Sequence, residues 1–461
     1  MDLEFLQKKY PEFIYKSFNY ELKDGDLAVS FEFKIPPDIE FLPRVVFKNV
    51  DVDQVKKIGE SALANLIFNI GMAEVPSYWK AVCSPKIVIK AGYLDKSQIK
   101  FWQDLFVNGM GQFFYENQLP ILKPKFINAA ETTGKSSVFS GKLSDKFIVP
   151  LGGGKDSLVT YELLNQAHCE VATLVVEPNQ ALKDIAAFVG AQNIEILRHI
   201  DPKLVEMKNQ GFLNGHTPFS AVLAFDLAVA ALLYDFKYVA ISQERSSNEG
   251  NVKYLGKIVN HQYSKSYDFE KKFNKYAKKY LASDIEFFSF LRPLYELQIA
   301  KIFSSYPQYF PVFLSCNKSF TLAARAAGAT GWCGQCPKCL FTFVALYPFI
   351  GREAVQKIFG KNLFGQKELV PLMLQLLGQE SCKPFECVGT YAEARAAFFL
   401  SLQKTNAMRP YLLNYFEQNI LPEYPDILAQ SKSIMLAWDK KNNIPKKFQP
   451  ALKNAVKGWE W

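Results

Sequence analysis

The chain has 461 residues, of which 49% are hydrophobic and 21% are charged, and its net charge is +9. This composition supplies the core of roughly two to three domains and excludes a disordered chain. The net charge suits an anionic substrate such as a nucleotide and is too weak to require a nucleic-acid partner. Eight cysteines in so long a chain do not indicate a disulfide framework.

The N-terminal segment, Met1-Asp2-Leu3-Glu4, is acidic and lacks the basic start and apolar run of a signal peptide. We therefore expect a cytoplasmic protein with reduced thiols. Residues 1–135 combine strand-like alternation, as in 27–35, with helical patterns near 53–72 and 96–118. This pattern predicts an N-terminal α+β domain for substrate recognition or packing, without a recognisable catalytic motif.

A second region, predicted to span residues 136–360, alternates strand and helix patterns. The predicted strands are 147–151, 171–177, 194–197 and 238–242, and the predicted helices are 158–166, 181–189 and 219–233. The alternation predicts an α/β domain with a parallel sheet and a ligand at the carboxyl ends of its strands. The apolar stretch 217–236 contains Asp226, which favours a buried helix over a membrane span.

A glycine-rich loop follows the first of these strands and reads Gly152-Gly153-Gly154-Lys155-Asp156-Ser157. Consecutive glycines let backbone N–H groups converge on an anion, and the following helix adds the positive end of its dipole. Lys155 adds a point charge, Asp156 can hold Mg²⁺, and Ser157 can cap the helix or donate to a phosphate. The loop therefore predicts a nucleotide enzyme, and a glycine-rich turn without ligand is the alternative.

Two familiar glycine motifs do not fit this loop. A Walker A loop requires lysine directly before serine or threonine, and here Asp156 separates Lys155 from Ser157. A dinucleotide fingerprint requires glycine at position 157. The loop instead resembles that of the PP-loop ATP pyrophosphatase superfamily, roughly Ser-Gly-Gly-x-Asp-Ser, with Gly152 replacing the usual serine.

The PP-loop resemblance implies an adenine nucleotide alpha-hydrolase-like fold built on a parallel sheet. It implies cleavage of ATP between its α and β phosphates, with the AMP used to activate an oxygen. The six loop residues, together with Glu177 at the next predicted strand end, are then the expected nucleotide-binding residues.

Two arginines are candidate substrate-binding residues, because guanidinium groups clamp carboxylates and phosphates. Arg245 lies with Asn248 in a polar loop after a predicted strand, and Arg292 lies in Arg292-Pro293-Leu294-Tyr295-Glu296. We predict that all three of Arg245, Asn248 and Arg292 contact substrate. A structural ion pair is the alternative for each arginine.

A cysteine cluster marks the end of the second region. Cys333, Cys336 and Cys339 are spaced by three residues, and Cys316 precedes them. Glycine and proline between them let the loop fold back, and four thiolates suit a closed, structural Zn²⁺ site. An iron–sulfur cluster is the main alternative. The remaining cysteines, Cys387 among them, are interpreted as ordinary thiols.

Residues 361–461 have apolar spacings typical of helices at 366–378, 391–404 and 424–439. They predict a helical C-terminal region. Its last turns are rich in lysine, which is interpreted as a solvated surface or a cover facing the substrate.

Taken together, the segments 152–157, 214–218, 242–251, 259–266, 292–297, 315–317 and 332–341 resemble the ATP-dependent UDP-N-acetylmuramoyl-L-alanyl-L-glutamate epimerases. The resemblance implies epimerisation of a terminal L-glutamate of a UDP-muramoyl dipeptide in peptidoglycan precursor synthesis. It implies ATP and Mg²⁺ as requirements, an acyl-adenylate intermediate, and AMP with diphosphate as products.

The acid and base of such a reaction must lie near the activated glutamate, with pKa values tuned towards neutral. We take His216, Glu244, His261 and Lys265 as candidates, alongside Asp156 at the phosphates. For each histidine a structural hydrogen bond is the alternative. Spacing along the chain does not indicate which two residues form the pair.

Two rival functions stay open. One is another PP-loop enzyme, either a 7-cyano-7-deazaguanine synthase, which also carries a late cysteine cluster, or a tRNA-thiolating protein. The synthases are about half as long as this chain, and thiolation would require cysteines that the metal site already occupies. The other rival is a zinc-stapled RNA-binding module, which would require a stronger basic face with interleaved aromatic residues.

Overall fold

The computed structural model describes residues 2–129, 137–319, 331–405 and 408–459. Thirteen strands occur in these ranges. In chain order they are β1 Glu12–Lys23, β2 Asp26–Ile35, β3 Ile39–Phe41, β4 Arg44–Phe47, β5 Lys86–Ile89, β6 Lys125–Asn128, β7 Phe147–Pro150, β8 Val171–Val176, β9 Asn193–His199, β10 Tyr238–Ile241, β11 Val252–Tyr254, β12 Lys257–Val259 and β13 Glu286–Ser289.

Eleven of these strands form one sheet, in the order β13-β10-β7-β8-β9-β4-β2-β1-β5-β6, with β3 beside β2. The segment β13-β10-β7-β8-β9 is parallel throughout. The chain first builds this segment outwards from β7 through β8 to β9, and then returns to add β10 and β13 on the other side. The order therefore reverses between β7 and β10, where open parallel sheets bind ligands.

The N-terminal strands extend the same sheet. Arg44 to Phe47 of β4 pair antiparallel with His199 to Ile196 of β9, which joins the two predicted regions edge to edge. In β2 buried and half-buried residues alternate without a break, as expected for a strand with one face on a core. The predicted boundary at 135/136 lies outside the described residues, and the division into three domains stays a prediction.

The helices flank this sheet and continue beyond it. They are Leu3–Lys9, Val52–Ile58, Glu60–Trp79, Lys96–Asp104, Gly111–Glu116, Lys155–Gln166, Gln180–Val189, Lys203–Asn209, Phe219–Leu233, Tyr267–Tyr280, Glu296–Phe303, Pro337–Phe359, Val370–Leu377, Tyr391–Gln403, Tyr411–Asn419, Ile427–Met435 and Gln449–Val456. Within the described ranges, none of them combines the length and the apolar character that a bilayer crossing needs.

Two hydrophobic cores hold these layers together. The first packs the N-terminal strands and helices against the helix Phe219–Leu233, and the second packs the other side of the parallel strands against the C-terminal helices. The helix Phe219–Leu233 is buried along most of its length, which explains its nearly unbroken apolar sequence.

The predicted fold class is confirmed: the molecule is mixed α/β, with a largely parallel sheet and a helical C-terminal region. The predicted strands at 147–151, 171–177, 194–197 and 238–242 correspond to β7, β8, β9 and β10. The helical pattern at 96–118 is divided into two helices by a π-helical turn at Leu105–Gly109.

Candidate active site

The glycine-rich loop joins β7 to the helix Lys155–Gln166 and leaves the helix N-terminus bare. Gly153 has a φ of +84°, and its carbonyl accepts a hydrogen bond from the Leu314 N–H at 2.8 Å. A Cβ on Gly154 would lie 3.2 Å from Ser315 Cβ, whereas Gly152 borders open space. Among the described residues, no side chain caps the helix at Gly154. The first N–H groups of the helix are therefore available to an anion.

This loop lines a cavity of about 400 Å³ at the point where the strand order reverses. Such a volume is typical of small-molecule sites. The carboxyl ends of β7, β8 and β10 supply most of the wall. Of the predicted nucleotide-binding residues, those on the wall are Gly152, Gly154, Asp156, Ser157 and Glu177.

Ser157 and Glu177 are held on this wall by partners in the protein. The Ser157 hydroxyl donates to the Gly154 carbonyl at 3.1 Å, within the first turn of the helix. Glu177 has a φ of 49°, and its carboxylate lies 3.5 Å from Arg198 Nη1. Glu177 is therefore held at the end of β8 by a buried arginine, with 30% of its side chain exposed.

Three carboxylates converge beside the loop. One oxygen each from Asp156, Glu244 and Glu296 lies within 4.8 Å of the others. Burial and the nearby charges of Glu296 and Asp156 raise the pKa of Glu244 to about 8. Burial and Glu296 also raise the pKa of Asp156. The cluster offers oxygen ligands of the kind that Mg²⁺ prefers.

Two lysines balance this negative charge. Lys155 is buried and forms ion pairs with both Asp156 and Glu296, and Lys338 Nζ lies 3.7 Å from Glu296 Oε1. Although burial opposes it, these two ammonium groups hold the pKa of Glu296 at about 2. The expected role of Lys155 as a free point charge is therefore corrected: its ammonium group is occupied by carboxylates. Of these two lysines, Lys338 lies on the cavity wall.

A second polar group on the cavity wall contains Lys265 and Cys387. Lys265 Nζ lies 3.0 Å from Cys387 Sγ, and His261 Nε2 lies 3.9 Å from the same sulfur. The His216 ring is 4.8 Å from that of His261, and His216 Nε2 is buried without a partner among the described residues. The structure thus brings three of the acid/base candidates, His216, His261 and Lys265, into one cluster.

The charge states within this cluster differ from those of the free side chains. Burial, then the neighbouring cations, lower the pKa of His261 to about 4 and that of His216 to about 3. Burial opposes charging of Lys265 as well, yet Cys387 and Glu244 raise its pKa overall. At neutral pH both histidines are therefore neutral and Lys265 is charged.

The predicted substrate-binding residues lie away from the cavity wall. Arg292 is fully buried: its Nη1 donates to the Glu244 carbonyl at 2.6 Å, and its Nη2 pairs with Glu270 at 3.0 Å. The geometry favours the structural ion pair over a substrate clamp. Arg245 stacks on the Tyr295 ring at 4.6 Å, and the exposed Asn248 donates to the Arg245 carbonyl.

The four predicted metal ligands converge in a separate, mostly buried cluster. The Sγ atoms of Cys316, Cys333, Cys336 and Cys339 lie within 4.8 Å of one another. The Cys316–Cys336 and Cys333–Cys339 separations are 3.9 and 3.7 Å. Four sulfurs at roughly 2.3 Å from one tetrahedral ion would be about 3.8 Å apart. The spacing therefore fits a single metal ion, whereas a multi-iron cluster would hold the sulfurs farther apart.

Three residues of the site were missed by sequence reasoning. Glu296 and Lys338 stand inside segments that carry the family resemblance, and only their approach to Asp156 in space reveals their part. Cys387 was interpreted as an ordinary thiol; it is a free cysteine whose sulfur contacts Lys265 on the cavity wall. No local pattern in the sequence marks Cys387.

The chain is similar to known proteins over most of its length. The family model described as MurL N-terminal domain matches residues 4–290, and the one described as MurL C-terminal domain matches residues 312–429. A protein from Xanthomonas oryzae pv. oryzae, named UDP-N-acetyl-alpha-D-muramoyl-L-alanyl-L-glutamate epimerase, is 34% identical over 83% of this chain and 83% of its own. One of the same name from Micromonospora sp. is 29% identical over 85% of this chain and 87% of its own. No solved structure gave a significant match.

Proposed function

The chain belongs to the MurL family, and on that premise we propose that it epimerises the terminal L-glutamate of UDP-N-acetylmuramoyl-L-alanyl-L-glutamate during peptidoglycan precursor synthesis. We propose further that the reaction consumes ATP in the manner of a PP-loop enzyme and releases AMP and diphosphate. The observation that carries this proposal is a bare helix N-terminus on the cavity wall beside three converging carboxylates, of which Asp156 lines the cavity.

The chemistry explains why a phosphate site belongs in an epimerase. The α-proton of glutamate is hard to remove, because the resulting carbanion would stand next to a carboxylate that already carries a negative charge. Transfer of AMP to that carboxylate forms a mixed anhydride, neutralises its charge and lets the carbonyl accept the electron pair. A base then removes the proton from one face of Cα, and an acid returns one to the other face. Water finally hydrolyses the mixed anhydride, which releases AMP and restores the carboxylate.

The glycine-rich loop would receive the diphosphate portion of ATP. Its backbone N–H groups and the helix dipole offer positive potential at the point where charge develops on the leaving group. Asp156, Glu244 and Glu296 would hold Mg²⁺, because their oxygens converge, and burial together with their repulsion raises the pKa of Glu244 to about 8. A bound Mg²⁺ supplies further charge stabilisation to the phosphates.

The cluster of His216, His261 and Lys265 supports proton transfer near the same cavity. Glu244, also an acid/base candidate, belongs instead to the carboxylate cluster. Because the pKa of Glu244 is raised to about 8, it carries a proton at neutral pH in the absence of a cation. A cation bound between the carboxylates would favour the ionised form.

We propose that the four-cysteine cluster binds Zn²⁺ in a structural role. Its four thiols supply a complete tetrahedral shell, which leaves no ligand position for water or substrate. The cluster ties the segment at Cys316, which borders the glycine-rich loop through Ser315, to the helix Pro337–Phe359. Zinc would then stabilise the cavity wall without taking part in the chemistry.

The function is tested by incubating the full chain with ATP, Mg²⁺ and UDP-N-acetylmuramoyl-L-alanyl-L-glutamate. We expect D-glutamate in the hydrolysed product by chiral chromatography, and AMP with diphosphate as nucleotide products. Omission of ATP or of Mg²⁺ is expected to abolish epimerisation. Formation of ADP in place of AMP would refute the adenylate, and absence of D-glutamate would refute the epimerase assignment.

A further inference from the structure

Five side chains form a continuous line from the N-terminal region to the cavity wall. Gln112 Nε2 donates to Glu116 Oε1 at 2.7 Å, and Gln112 Oε1 lies 2.6 Å from His261 Nδ1. His261 Nε2 lies 3.9 Å from Cys387 Sγ, which receives a hydrogen bond from Lys265 Nζ at 3.0 Å. Gln112 is buried, and Cys387 and Lys265 line the cavity.

This line fixes the tautomer of His261. The Glu116 carboxylate only accepts hydrogen bonds, so the amide nitrogen of Gln112 must face it. The amide oxygen of Gln112 then faces His261 Nδ1, which must carry the hydrogen. In a neutral imidazole the other nitrogen is the acceptor. His261 Nε2 therefore presents its lone pair towards Cys387.

The surroundings of Cys387 favour its thiolate. Burial alone disfavours the charge, but the ammonium groups of Lys265 and Lys338 outweigh burial and lower the pKa of the thiol. Lys338 Nζ donates to the Cys387 carbonyl at 2.5 Å. Glu296 opposes the shift without cancelling it, and His261 is neutral. Because Cys387 lines the cavity, its thiolate can act as a base towards a substrate bound there.

We propose that Cys387 is one of the two acid/base groups that invert the glutamate α-carbon, with His261 as its proton partner and Gln112 as a positioning residue. This inference rests on the proposed function and adds a residue to it. It also gives the N-terminal region a part in the chemistry, because the helix Gly111–Glu116 orients His261.

The proposed step is a proton transfer. The Cys387 thiolate takes the α-proton of the adenylated glutamate, so that an S–H bond forms as the Cα–H bond breaks. The electron pair moves onto the acyl oxygen as an enolate. A second acid returns a proton to the opposite face of Cα and restores the carbonyl. The thiol proton leaves through His261 Nε2 to solvent, and solvent reprotonates the second acid.

The test separates proton transfer from adenylation. The full chain is incubated in D₂O with ATP, Mg²⁺ and UDP-N-acetylmuramoyl-L-alanyl-L-glutamate, and deuterium at Cα, D-glutamate and AMP are each measured. In Cys387→Ala we expect deuterium uptake and D-glutamate formation to fall by at least about 10²-fold. AMP formation should stay within about threefold of the unmodified chain, because the phosphate loop is untouched.

Cys382→Ala is the matched control, since this thiol is also half-buried, lies in the same segment, and bonds the Lys383 carbonyl. It should leave deuterium uptake and AMP formation unchanged. If Cys387→Ala exchanges the α-proton of the substrate glutamate as fast as the Cys382→Ala control does, the acid/base role of Cys387 is refuted. If the unmodified chain itself forms no D-glutamate, the proposed function fails instead.

A second measurement needs no substrate and tests the cluster directly. The alkylation rate of Cys387 by iodoacetamide, followed by mass spectrometry against pH, should have a midpoint below the ~8.5 of an ordinary thiol. Lys265→Met should raise that midpoint. Gln112→Leu should slow deuterium uptake about tenfold at constant AMP formation. The reason is that His261 loses the hydrogen bond to Gln112 that keeps its proton on Nδ1. A midpoint at or above 8.5 in the unmodified chain would overturn the thiolate.

Discussion

The cysteine cluster and the carboxylate cluster each bring candidate metal ligands within 4.8 Å, yet they are built in different ways. Three of the four thiols come from one short segment, residues 333–339. The three carboxylates come from separate elements, and Lys155 and Lys338 contact them beside a cavity. The cysteine cluster offers a complete set of four ligands, whereas the carboxylate cluster reaches the cavity wall through Asp156.

This difference teaches how stability and chemistry are divided in the molecule. A closed shell of four ligands stabilises the fold and leaves nothing to react. An open cluster with buried, crowded charges is costly to the fold, and it is of use only when a substrate or cation completes it. Each cluster can therefore be broken separately, with opposite effects on activity and on stability.

The largest expected effect is on activity, at the open cluster. Asp156→Asn removes a carboxylate that would hold Mg²⁺ beside the phosphate loop, and AMP formation should fall by about 10³-fold. The melting temperature should not fall, since burial and Glu296 already raise the pKa of Asp156. Asp184→Asn, on the exposed face of the next helix, is the control. Normal AMP formation in Asp156→Asn would contradict the proposed site.

At the cysteine cluster we expect the opposite result, a loss of stability that precedes any effect on the chemistry. Cys336→Ser keeps a side chain that can cap the helix Pro337–Phe359. Any effect of the substitution therefore comes from the loss of the thiol as a candidate metal ligand. We expect the zinc content, measured by mass spectrometry, to fall below one per chain, and unfolding to become easier by several kcal/mol. Cys169→Ser, outside the cluster, should change neither quantity. An unchanged melting temperature with lost activity would refute a structural role.

The sequence revealed these two clusters to different degrees. The four cysteines were predicted as metal ligands because their spacing is local and few kinds of site use it. Residues Gly152–Ser157 were predicted as a phosphate-binding loop for the same reason. Glu296, Lys338 and Cys387 were not, because their meaning depends on which strands and helices become neighbours. The β4–β9 pairing was equally invisible, since the edge partner of a strand leaves no mark in its own alternation.

A smaller effect is expected when the counter-charge of the open cluster is removed. Lys155→Met leaves Asp156 and Glu296 buried without their ammonium partner, which should destabilise the fold by about 3 kcal/mol in chelator. Added Mg²⁺ should restore part of this loss, because a cation can replace the ammonium group. Lys146→Met breaks the surface pair with Glu170 and should cost below about 1 kcal/mol. The free energy of unfolding is measured by denaturant titration. An equal loss of stability in the two variants would contradict the claim that Lys155 neutralises two buried carboxylates.

A further expected effect is a dependence of stability on pH. The pKa of Glu244 is raised from 4.5 to about 8 in the folded chain. Its contribution to stability is therefore complete below pH 4.5 and is lost as the pH rises through 8, by at most about 1.4 kcal/mol per unit. Glu244→Gln should flatten this slope in unfolding measurements without Mg²⁺. A slope identical to that of the unmodified chain would show that another group titrates there.

The pairing of β4 with β9 has a consequence for biosynthesis. The outer edge of β4 is translated long before its neighbour, which lies almost 150 residues downstream. At 5–20 residues per second a ribosome takes roughly 7–30 s to cover that distance. During this interval the emerging polypeptide carries an open strand edge, a known hazard for aggregation. Nascent chains that stop short of residue 193 should therefore depend on chaperones, and those that extend past 199 should be released from them.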